Sequence, residues 1–223
     1  MQNNLLVSRG ISRQATADKV RRDSRRFVDS LAQRLAELER LAASARQFNV
    51  FDAEEYADFK RLFLNFSDLA EEFQMLSHLT EQSLAKYQRI GARHWNEHKE
   101  LDEYFRKLQV PMLHQVITTN LRLLRVWDDR LQHGEGLPYG ARELFVETIR
   151  VIHNARIQLL RPRYFALLDE AALRDADRAD RLLRTLIQQS PKLFNFGEEN
   201  ALEELLGGDN TAHFGEHATE PPH

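Results

Sequence analysis

Residues 52–110 read DAEEYADFKRLFLNFSDLAEEFQMLSHLTEQSLAKYQRIGARHWNEHKELDEYFRKLQV, 59 positions with no proline and a single glycine, Gly91. Apolar side chains recur every three or four positions through Phe59, Leu62, Phe63, Phe66, Leu69, Phe73 and Leu76, the period of one face of an α-helix. Unbroken, this helix would run about 90 Å at about 1.5 Å per residue, longer than a compact domain of this size is wide. It must protrude or break, and Gly91 is the natural place for a break. The stripe is dense from Phe59 to Leu84, thins after Tyr87 and Ile90, and continues only as Leu101, Tyr104, Phe105 and Leu108. Fold-back is therefore expected, with the proximal part as core and the stretch from Gly91 to Leu108 projecting as an exposed functional surface.

Upstream, Ser12 to Ala17 supplies capping residues for a first helix running to about Phe48, striped by Phe27, Leu31, Leu35, Leu38, Leu41 and Ala45. Asn49 to Asp52 reads as a turn, with Asp52 as N-cap and Glu54 and Glu55 favourably placed against the helix dipole. Downstream, Pro111 suits the first position of a third helix, where its missing N–H is harmless. That helix carries the seam Leu113, Ile117, Asn120, Leu124, Trp127 and Leu131, in which a lone asparagine sets register or bonds a neighbour. HGEGLPYG at 133–140 is the strongest loop signal. A fourth helix follows from about Ala141, with Leu144, Phe145, Ile149, Ile152 and Leu160, and Pro162 interrupts it. Tyr164 to Leu173 and Asp177 to Gln189 read as two shorter helices, stopped by Ser190 and Pro191. No alternating strand pattern and no fixed-period repeat occurs.

The fold class is thus an all-α, elongated antiparallel helical bundle with long helices and disordered termini. Its parts are a disordered arm over 1–13, a bundle over 14–191 and an acidic, mostly disordered tail over 192–223.

Hydrophobic residues make up 42% of the chain and charged ones 29%, near globular averages, so one core is within reach. No apolar run approaches the 18 or so residues of a membrane span, and the start lacks a secretory core, so a cytoplasmic location is expected. The absence of cysteine closes off disulfide, thiolate and cysteine–metal chemistry. Charge is uneven. Residues 1–26 hold Arg9, Arg13, Lys19, Arg21, Arg22, Arg25 and Arg26 against Asp18 and Asp23, whereas 192–223 holds Lys192 against seven carboxylates. Such an arm can contact nucleic acid or an anionic membrane, although charge runs are most often solvated faces.

Chemistry is sparsely signalled. His94-Trp95-Asn96-Glu97-His98 places two histidines on one helix face and resembles the H-x-x-E-H pattern of inverted zinc peptidases over five residues only. A ferritin-like di-iron site needs Glu-x-x-His pairs, and none of His78, His94, His98, His114, His133 and His153 has a glutamate three before it. A hemerythrin-like site would resemble the chain through His94 and His98, yet Gln82, Pro138 and Gln158 stand where its further carboxylates belong. His94, His98 and His114 remain the metal candidates, and no cofactor is expected. There is no nucleophile elbow and no phosphate-binding loop. Asp128 and Asp129, being adjacent, diverge around their helix and read as solvated.

For anions, Arg21, Arg22, Arg25 and Arg26 form i,i+4 pairs, and Arg150, Arg156, Arg161 and Arg163 flank Pro162. For protein partners, Leu193, Phe194 and Phe196 read as a docking motif, Leu202, Leu205 and Leu206 as one face of a short amphipathic helix, and Trp95 as a further contact.

The expected function is a non-enzymatic cytoplasmic adaptor, chaperone or assembly factor that binds protein and self-associates as a homodimer. The alternative is a regulator whose basic first helix binds nucleic acid or an anionic membrane surface. A metal- or haem-binding bundle comes third.

Overall fold

The computed structural model describes the backbone of residues 2–90, 95–134 and 141–194, and side chains over 15–52, 54–90, 96–134 and 144–189. All regular structure among the described residues is helical: α1 (Gln2–Ala45), α2 (Ala53–Ile90), α3 (Trp95–Gln132), α4 (Ala141–Leu159), a 3-10 helix (Pro162–Leu167) and α5 (Glu170–Phe194). The chain divides into two compact units, Met1–Asn49 with Ala53–Gln115, and Val50–Asp52 with Val116–His223. The first part of α3 belongs to one unit and the rest of it to the other.

In the first unit the helices run up, down and up. Ser24 Oγ lies 2.8 Å from Ser83 Oγ and Arg34 Nη2 lies 3.0 Å from Glu72, so α1 and α2 are antiparallel. His98 Nε2 lies 3.1 Å from the Leu84 carbonyl, and Gln109 Nε2 donates to Ser77 Oγ at 2.8 Å, so α3 returns along α2. The phenylalanine stripe drives this packing. Phe59, Phe63, Phe66 and Phe73 are buried, each contributing roughly 1.5–3 kcal/mol by leaving water. Val28, Leu31, Leu35 and Leu38 of α1 and Leu101, Phe105 and Leu108 of α3 are buried with them.

The second unit comprises the rest of α3, α4, the 3-10 helix and α5. Trp127 and Phe145 meet with ring centroids 5.1 Å apart, and α4 buries Ile149, Ile152, Ala155 and Leu159. Asp169 caps α5, its Oδ1 accepting the Ala172 N–H at 2.7 Å, which satisfies one of the helix's orphan donors. Ala172, Ala176, Ala179, Leu183, Leu186 and Ile187 form the buried face.

The break expected near Gly91 is present, α2 ending at Ile90 and α3 beginning at Trp95. Several expectations need correction. The stretch expected to project folds back instead, because His98, Leu101, Phe105 and Leu108 keep an apolar face to bury. Pro111 lies inside α3 rather than at a helix start, since apolar residues on both sides of it are buried and packing overrides the lost bond. The segments expected at 164–173 and 177–189 are a 3-10 helix and one long α5, which continues past Pro191. Helical backbone is described from Gln2 onward. Asn120 donates to the Val116 carbonyl of its own helix at 2.8 Å. The expected tail beyond residue 194 lies outside the described residues.

Candidate functional site

The surface of α2 carries the clearest unexplained feature. Leu64, Met75, Leu79 and Ile90 are 48%, 65%, 49% and 36% exposed. Their spacings are 11, 4 and 11 residues. At 3.6 residues per turn this places all four within a sector of about 80°, on the side of α2 opposite the buried phenylalanines. Asp68 and Lys86 fall in the same sector, are exposed, and have no ion-pair partner among the described residues. Met75 and Leu79 sit one turn apart, with Leu64 and Ile90 each about 16 Å further along the helix, and large apolar side chains left exposed in one sector make this face a candidate contact surface.

Beside it, a groove of about 460 Å³ lies between α1 and α2, lined by Arg26, Phe27, Ser30, Gln33, Arg34, Glu37 and Leu76. Its Arg34 is held by Glu72 at 3.0 Å and Glu37 at 3.5 Å, which fixes the guanidinium along the groove wall. The groove carries little net charge.

The basic quartet of α1 is split by Glu97 of α3. Arg21 and Arg25 lie 3.5 and 3.9 Å from its carboxylate, leaving Arg22 and Arg26 exposed. Glu97, with burial, also raises the pKa of Tyr87, burial being the larger cause and Arg21 opposing both. Tyr87 in turn packs edge-on against His98, with ring centroids 5.6 Å apart.

These contacts bear on the metal candidates. The His98 Nε2 lies against the Leu84 carbonyl and donates to it, which takes that one ring nitrogen out of metal binding. His98 and His114 stand sixteen positions apart on α3, about 24 Å at 1.5 Å per residue, too far to share an ion. His94 lies outside the described residues, and no cluster of three metal-binding side chains occurs among the described residues.

The arginines near Pro162 do not converge. Arg150 bonds Glu147 at 3.2 Å, Arg156 bonds Asp180 at 2.5 Å, and Arg163 lies 4.7 Å over the Tyr164 ring. A different set gathers instead. Burial lowers the pKa of Arg125, the Arg178 and Arg122 guanidiniums lower it further, and Asp175 opposes them. The Arg125 Nε is buried with no hydrogen-bond partner among the described residues. Sequence reading missed this cluster because its members come from two helices; only the i,i+3 spacing of Arg122 and Arg125 was visible. Asp128, expected to be solvated, is half-buried, and burial followed by Asp129 raises its pKa against the Gln132 hydrogen bond.

Of the expected partner-binding residues, Leu193 and Phe194 belong to the last turn of α5 by backbone. Their side chains, that of Trp95, and Phe196, Leu202, Leu205 and Leu206 lie outside the described residues. No helix among the described residues is long and apolar enough to cross a membrane. No family model, curated protein or solved structure matches the chain.

Proposed function

We propose that the protein is a non-enzymatic cytoplasmic adaptor, chaperone or assembly factor that works by protein–protein contact and self-association. The observation that supports this reading is the outer face of α2, where Leu64, Met75, Leu79 and Ile90 stay exposed in one sector although the core beneath them is complete. A row of this kind, with Asp68 and Lys86 set between its apolar residues, suits a helix-to-helix interface that joins apolar contact to charge pairing.

A photo-crosslinking residue in place of Leu79 tests the reading in cells that express the full chain. It should trap protein, either another copy or a partner, and the same probe at exposed Gln74, outside the sector, should trap far less. Equal trapping from both positions, or none from Leu79, would overturn it.

A further inference from the structure

The exposed row on α2 is symmetric about its own midpoint. Leu64 and Ile90 lie thirteen residues either side of the level of Ser77, and Met75 and Leu79 lie two either side. The charged pair obeys the same centre, with Asp68 and Lys86 nine residues either side. A row meant for an unrelated partner has no need of such symmetry. A two-fold axis imposes it, because in an isologous interface each residue that touches a second one is touched by that same residue in return.

We infer that α2 pairs antiparallel with α2 of a second copy of this chain, about a two-fold axis at the level of Ser77. In this register Leu64 faces Ile90 of the second copy, and Met75 faces Leu79 of the second copy. Asp68 faces Lys86 of the second copy, twice over by symmetry. The reversed, parallel arrangement sets Asp68 against Asp68 and Lys86 against Lys86, like charges that disfavour it. The complementarity does not depend on rearranging existing bonds, since Asp68 and Lys86 have no ion-pair partner among the described residues. The inference rests on the protein-contact reading above and adds to it the identity of one partner and the register.

A chain without native cysteine allows a clean test. Leu64→Cys and Ile90→Cys are made separately in the full-length protein, at exposed positions that leave the core untouched, and are mildly oxidised alone and as an equimolar mixture at micromolar concentration. The mixture should give a disulfide-linked dimer and each variant alone should not, because like positions would be about 39 Å apart at 1.5 Å per residue. Dimers from each variant alone would mean a parallel pairing and overturn the register. Asp68→Lys should weaken dimerisation at least tenfold in sedimentation, and combining it with Lys86→Asp should restore it; failure of that rescue counts against the pairing. If the chain sediments as a strict monomer while cross-links from position 79 to other proteins persist, the dimer falls and the protein-contact reading stands.

Discussion

His153 sits on α4 at 2% exposure, and its environment holds it neutral. Burial lowers its pKa below the usual value of 6.5, Arg156 lowers it further, and Asp180 opposes them. Once unfolded, the ring takes up a proton near its ordinary pKa, so below that point the unfolded chain binds more protons and stability falls. The protein should therefore lose melting temperature as pH drops through about 6.5, and His153→Leu should flatten that loss between pH 7 and 5. Thermal melts across the range decide it; an undiminished slope in the variant would assign the effect to other groups. In the first unit, Gln109 donates to Ser77, whose hydroxyl donates to the Phe73 carbonyl at 2.8 Å. Gln109→Ala leaves that buried chain short of a donor and should cost about 1–3 kcal/mol in a urea titration. At this scale the sequence was readable where one helix face decides burial. Phe59 to Phe73 were recognisable as core, whereas the proximity of Arg125 to Arg178 depends on two helices meeting and leaves no local trace.

Among the elements, α2 was legible from its aromatic period, whereas α5 was legible as helix but not in its bounds. Its amphipathic pattern is strong, yet the buried face opens with the small Ala172, Ala176 and Ala179, and Pro191 reads as a stop that the helix passes. The informative signal was Asp169, whose carboxylate caps the helix; Asp169→Ala should cost about 1 kcal/mol, measured by chemical denaturation. Pro111 misled for the opposite reason. A proline fits a first turn so well that its burial-driven place inside α3 could not be inferred without knowing what flanks it. Pro111→Ala restores an N–H to the ladder and should stabilise the protein by up to about 3 kcal/mol, less whatever the helix has gained by bending around the ring. The outer row of α2 escaped notice because four apolar residues at spacings of 11, 4 and 11 do not raise a helix's apparent amphipathicity; their meaning depends on seeing that they are left uncovered.

For the whole molecule, self-association makes stability a function of concentration. If two copies pair through α2, the melting temperature should climb as the protein is concentrated from about 1 to 100 micromolar, by mass action, and Leu79→Glu should abolish that climb while leaving the dilute value nearly unchanged. A flat profile in the parent chain would speak against pairing. The division into two compact units went unread in the sequence, although α3 changes composition there: its charged residues stop at Lys107 and resume only at Arg122, on either side of the boundary. Where it does so, Pro111 stands four residues before the boundary at Gln115, and it offers no amide proton to the carbonyl of Lys107. The ladder of α3 thus lacks one rung beside the handover, which separates the amide protons of this helix into two populations. Those before Lys107 should exchange with solvent deuterium as the first core opens, those after Val116 as the second does, and a single unbroken helix would carry two distinct exchange lifetimes along its length.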